Sequence, residues 1–209
     1  MKIQITKAHL KVIIPVFIAL ILIGFGAWVY TGVYKQQSEQ PFLVRVADIL
    51  QLPVARIGNH QVTYTNYLTH LDAQKVFLKG PTAQAQGLAR ELGTEDKVQA
   101  YERAIRIAAV DDMAEEAGVV ITPLDVDRAF DELIAQSGTS TDIGEVRTFL
   151  QNEFGWDETQ FKQLVVRPAL VEDTLKQKQL TESQDALAFD TALAAKLSAT
   201  STKRYLTFE

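Results

Sequence analysis

The chain of 209 residues contains no cysteine. Disulfides, thiolate nucleophiles and cysteine-based zinc or iron–sulfur sites are therefore excluded. Histidine is nearly as scarce, with three residues: His9, His60 and His70. They form no tight helical pair and no third ligand stands at a fixed offset, so no metal site is expected and His60 and His70 read as surface histidines. Gly-rich phosphate loops and the nucleophile-elbow pattern are also missing. Basic residues are nowhere clustered, which argues against a nucleic-acid partner. No cofactor and no catalytic residue is expected.

One absence is itself a signal. From Val12 to Tyr34 the chain reads VIIPVFIALILIGFGAWVYTGVY, 23 residues without a charge. At about 1.5 Å per residue, such a helix is long enough for a hydrocarbon core of about 30 Å. Trp28, Tyr30 and Tyr34 stand near one end, where interfacial aromatics belong. The run is longer than the apolar region of a cleaved signal, about 7–15 residues, and lacks a small-x-small site after it. It is read as an uncleaved anchor. Lys2, Lys7 and Lys11 precede it and carry all the side-chain charge of the first 34 residues. The expectation is therefore a single-pass cell-membrane protein, with residues 1–11 cytoplasmic, a transmembrane anchor over 12–34 contacting the lipid bilayer, and the main domain extracytoplasmic.

The remaining 35–209 holds 18 of the 21 Lys and Arg residues and all 26 Asp and Glu, a net charge of −8. An acidic domain of this kind is repelled by an anionic surface rather than docked on it. A hydrophobic share of 47% with 22% charged residues fits a globular chain rather than a disordered one.

Residues 35–52 begin polar, turn mixed, and read as a short stalk leading into a helical or extended stretch. Val54–Ile57 and Gln61–Thr63 are short strand patterns separated by the turn dipeptide Gly58-Asn59, followed by a helix capped at Thr63 or Thr65. Residues 80–94 have little periodicity and are expected to form a loop or a poorly ordered helix. Thr94 is the expected cap of a long helix ending at Gly118. Val119–Ile121 could add a strand edge, and Thr122-Pro123 opens another helix with Val126, Phe130, Leu133 and Ile134 facing inward. Ser137 to Thr141 reads as a linker, followed by a helix over about 142–153. Asp157 and Gln160 form a capping box, with Trp156 placed to staple onto Phe161. Pro168 lies inside the helix that follows, where a kink or two abutting helices are expected. A helix over 185–197 and the segment KRYLTFE, a possible strand, complete the chain.

The elements VARIGNHQVT, GVVITPLDVDRAFDELI and FLQNEFGWDETQFKQLVVRPALVEDTL, in this order behind a single anchor, resemble the N-terminal chaperone module of the SurA, PrsA and PpiD group of extracytoplasmic folding factors. The membrane-anchored layout is most similar to the PpiD branch. The resemblance covers about Pro53 to Leu180. It implies a mainly α fold, a helical SurA-N-like domain over 53–180 with a small β-hairpin, followed by a C-terminal helix and possible strand over 181–209. The chain departs from the group at Gly58-Asn59, where Asn-Gly is common. It also departs in residues 181–209, which carry no parvulin pattern.

The function implied is non-catalytic binding of unfolded or newly exported polypeptide. Alternatives are a parvulin-type peptidyl-prolyl isomerase relative whose catalytic domain is lost or truncated, and a structural adaptor that binds one folded partner. The residues expected to line a polypeptide-binding groove are Phe130, Phe149, Phe154 and Trp156. Asp111, Asp112, Glu115 and Glu116 are expected to form a solvated acidic face.

Overall fold

The computed structural model describes residues 7–136 and 143–208, with side chains from residue 19 onward. The expected cytoplasmic terminus is described only from residue 7, and the expected linker at 137–141 lies outside the described residues. The chain divides into two compact units, Met1–Leu52 and Pro53–Glu209.

In the first unit, helix α1 (Lys7–Tyr30) runs through a five-residue π turn (Thr31–Lys35). Helix α2 (Pro41–Ile49) follows, with Pro41 at its first position, where a missing N–H is harmless. Leu43 and Ala47 of α2 are buried. Leu20, Ile21, Leu22, Ile23 and Phe25 on α1 are all exposed. Among the described residues no helix is long and apolar enough to cross a membrane. The part of α1 with described side chains, residues 19–30, spans about 18 Å at 1.5 Å per residue.

The second unit is mainly helical, with a small antiparallel sheet. Strands β1 (Pro53–Ile57) and β2 (His60–Thr63) form the hairpin read from the sequence. A register shift between Pro53 and Ala55 breaks strict alternation, so Val54 and Ala55 are both buried. Thr63 caps α3 (Tyr64–Lys79) by accepting the Asn66 N–H. The stretch after Gly80 is more regular than its composition indicates. Pro81–Ala85 forms a short helix, α4. The guanidinium of Arg90 then holds the carboxylate of Asp96 in α5 (Thr94–Glu116). The cap of α5 is Gly93 rather than Thr94, because Asp96 reaches back to accept the Gly93 N–H at 2.7 Å. At the other end Val119 N–H bonds Ala114 O, Gly118 N–H bonds Glu115 O, and Gly118 adopts φ +67°, a Schellman stop.

Helix α6 (Pro123–Gln136) begins with reciprocal bonds between Thr122 and Asp125. Val126 and Phe130 face inward as expected, but Leu133 is exposed. Helix α7 (Ile143–Phe154) leads through Gly155 to α8 (Glu158–Phe161), whose Asp157/Gln160 capping box is formed as read. Pro168 does not end the following helix. A π turn (Lys162–Val166) with Arg167 N–H on Lys162 O absorbs the missing donor, and α9 (Arg167–Ser183) continues. Helix α10 (Ala188–Ser198) and strand β3 (Lys203–Arg204) follow. The sheet order is β2-β1-β3, so KRYLTFE pairs back on the hairpin. Val119–Ile121, expected to add an edge, forms no strand; Val120 is 80% exposed and β3 takes that edge of β1.

Helix α5 is the centre of this unit and packs on α3, β1, β2, α9 and α10. Its inner face alternates alanine (Ala100, Ala104, Ala108, Ala109) with Tyr101, Ile105 and Val110, all buried. The alanines let neighbouring backbones approach closely. Tyr101 spans the gap: its hydroxyl donates to Val54 O at 2.7 Å, and the same carbonyl accepts Tyr205 N–H at 2.9 Å. Tyr67 and Phe208 pack on the Tyr101 ring at 6.0 and 5.3 Å.

The acidic face expected on α5 is not uniformly solvated. Asp112 is 3% exposed. It accepts the Asn59 N–H at 3.1 Å and faces the Lys196 ammonium of α10 at 2.5 Å. Burial pushes its carboxyl pKa upward, but Lys196 and the Asn59 N–H more than offset this, so the net direction is down. The hairpin turn sits so closely on it that a Cβ at Gly58, where φ is +52°, would collide with both carboxylate oxygens. Only glycine combines that left-handed backbone with that approach. Lys196→Met should therefore destabilise the fold by about 3–5 kcal/mol in urea denaturation, as expected for an orphaned buried charge. Adding Asp112→Asn to that variant should recover much of the loss.

Candidate functional site

The features that converge on one concave surface lie between α3, α5 and the α7–α8 corner. Here Ala73 of α3 and Ala100 of α5 both border a hollow that the neighbouring rings do not fill. The result is a groove of about 340 Å³. Its wall is aromatic. Phe77 stacks on Phe154 with ring centroids 6.2 Å apart and planes 9° from parallel, and Phe154 stacks on Trp156 at 5.5 Å. Phe161 and Val165 close the far side. Phe77, Phe154 and Phe161 are half-buried, so ring surface faces the groove without being covered.

The local sequence explains the wall. Gly155, at φ +69°, turns the chain sharply between α7 and the capping box, so Phe154 and Trp156 can stack across it. The π turn before Pro168 places Val165 where it borders this groove and a second one of about 470 Å³. Leu164, Pro168 and Ala169 supply apolar surface to the second groove, with Ile107 and Val110 of α5 opposite. Arg103 borders both.

Of the four aromatics expected in a groove, Phe154 and Trp156 line it. Phe149 is 54% exposed, edge-on to Phe154 at 6.1 Å and outside the groove lining. Phe130 does not belong to it. At 1% exposure it is core, packed with Val126 and Val166, and the Lys162 ammonium lies 4.6 Å from its ring centroid. On an amphipathic helix, spacing marks the inward face but does not distinguish a closed core from an open groove.

Of the two histidines expected at the surface, His70 needs correction. His60 is partly exposed and pairs with Glu115 at 3.0 Å. One of its ring nitrogens and single carboxylate oxygens of Asp112 and Glu115 lie within 4.8 Å of one another, a spacing compatible with a cation. The Lys196 ammonium already supplies positive charge there, 2.5 Å from Asp112 Oδ2. His70 is not a surface residue: it is 6% exposed, borders the groove, and its Nδ1 has no hydrogen-bond partner. Burial, with a smaller contribution from Arg103, lowers its pKa to about 4. The groove wall is therefore neutral at His70 at physiological pH. Sequence reasoning missed His70, Arg103 and Val165 as groove residues, since their meeting is a product of helix packing. Phe77 and Phe161 were legible only as apolar positions.

No protein-family model matches this chain, and no curated protein and no solved structure matches it.

His70 gives a pH test. Its pKa falls from 6.5 to about 4 on folding, so the unfolded chain takes up a proton at a pH where the folded chain does not. This stabilisation is present above pH 6.5 and is lost as pH falls toward 4. Between pH 7 and pH 5 the loss should be about 2 kcal/mol. The charged neighbour acting on the imidazole is Arg103. In urea denaturation at the two pH values, His70→Leu should lose most of this slope. An unchanged slope would mean that the imidazole is solvated.

Proposed function

We propose that this protein is a membrane-tethered, non-catalytic module that captures unfolded or newly exported polypeptide on the extracytoplasmic side. The observation carrying this reading is the groove wall of Phe77, Phe154 and Phe161, half-buried rings with apolar surface uncovered, with the buried Trp156 stacked behind Phe154. Uncovered apolar area of this kind gains free energy whenever a client side chain displaces water from it, with no demand for a particular sequence. The resemblance to the SurA, PrsA and PpiD chaperone module supports the same reading, as does the arrangement of hairpin, long central helix and capped α8 in that order.

The proposed anchor is residues 12–34. Its support is the charge-free run and the exposure of large apolar side chains along α1 from Leu20 to Tyr30. A helix apolar on all sides is at home in lipid or in a large core. The net acidity of 35–209 would then hold the capture module off an anionic membrane surface.

The test uses the full chain in lipid nanodiscs, because detergent would compete for an apolar groove. At several-fold molar excess over a chemically denatured reporter protein, it should slow the rise of turbidity. No slowing by a chain with intact helical circular dichroism would refute the reading. In parallel, isomerisation of a short X-Pro peptide should proceed at its uncatalysed rate. Acceleration would favour the isomerase alternative, and saturable binding of one folded partner without affinity for unfolded chains would favour the adaptor.

A further inference from the structure

The two grooves meet at Arg103 and Val165, and around them the charges are nearly all spent. Arg106 pairs with Glu172 at 2.9 Å, and Glu102 is held by Arg204. Arg103 is exposed and makes no ion pair among the described residues. A guanidinium at the junction of two apolar grooves, without a carboxylate of its own, is an electrostatic mismatch in an acidic domain whose other groove-bordering arginine is matched. The second feature is His70: its buried Nδ1 has no hydrogen-bond partner among the described residues, in a wall whose other polar side chains are Gln74, Gln99 and Arg103. An unsatisfied buried polar atom is costly unless something else supplies its hydrogen bond.

Resting on the capture reading above, we propose that the grooves take an extended peptide segment in which an aromatic side chain enters beside Phe77, Phe154 and Trp156 while a nearby carboxylate of the same segment pairs with Arg103. A ring suits the first groove because stacked aromatic walls favour a further ring over an aliphatic chain. The segment is extended because side chains two residues apart then share one face, about 7 Å apart, and enter neighbouring grooves together. A peptide N–H or a ring hydroxyl of the segment is the chemistry that would satisfy His70 Nδ1. The wall is neutral at this histidine, so the charge preference rests on Arg103.

The probe is a fluorescently labelled, unstructured peptide of seven residues carrying one phenylalanine and, two residues later, one aspartate. Controls carry asparagine for the aspartate or serine for the phenylalanine. Binding to the full chain in nanodiscs is read by anisotropy. The phenylalanine–aspartate peptide should bind about three- to tenfold more tightly than its asparagine counterpart, the range of a partly solvated charge pair. The preference should shrink at high salt. Arg103→Gln, an exposed change that leaves the fold intact, should abolish it, while Arg103→Lys should keep part of it. The serine control should lose most binding.

Equal affinity for the aspartate and asparagine peptides, or a preference that survives Arg103→Gln, would overturn the inference. Repeating the turbidity assay on the same preparations separates the two readings. Peptide binding lost with aggregation still slowed overturns this inference alone, and both lost together overturns the capture reading as well.

Discussion

The buried Asp112 carboxylate is the constraint around which the second unit is arranged. It binds the hairpin turn through Asn59, draws Lys196 of α10 onto the C-terminal end of α5, and requires glycine at position 58. A carboxylate this buried is tolerated only when it is paired and hydrogen-bonded. Each partner is therefore held as firmly as the charge itself. With the hairpin fixed on one end of α5, β1 lies where Tyr101 reaches Val54 O, and that same carbonyl receives Tyr205 N–H. The C-terminal strand is thus placed by a chain of contacts that begins at Asp112.

The groove lies farther toward the N-terminal end of the same helix and depends on a different economy of size. Alanines on α3 and α5 keep the helices close but leave a hollow, and the α7–α8 corner presents rings to it. The π turn before Pro168 extends the hollow into a second apolar recess. A proline that would have broken the helix instead widens it by one residue, and Val165 at that widening borders both recesses.

Much of this was legible along the chain. The hairpin, the Thr63 cap, the glycine stop at 118, the Thr122-Pro123 start and the Asp157/Gln160 box are local features, set by residues within about four positions of one another, and all are formed. Expectations failed where one local cap outcompeted another or where a distant partner decided. Thr94 yielded the cap to Gly93 because Asp96 turns back, held there by Arg90. Val119–Ile121 lost the sheet edge to a strand more than 80 residues away in sequence. Phe130 and Phe154 carry the same apolar signal, yet one is core and the other groove wall.

By itself, the sequence determined the absence of thiol chemistry, the charge-free run at 12–34, the acidity of the rest, and the type and order of the hairpin and the longer helices of the second unit. These follow from composition and from short-range backbone and capping physics. Only the tertiary structure decided which acidic residue is buried, which histidine is dry, and which aromatic rings remain uncovered. Burial is a property of what packs against a residue, and helical periodicity carries no information about the neighbour's size. Ala73 and Ala100 both border the groove, and nothing near either alanine in sequence announces it.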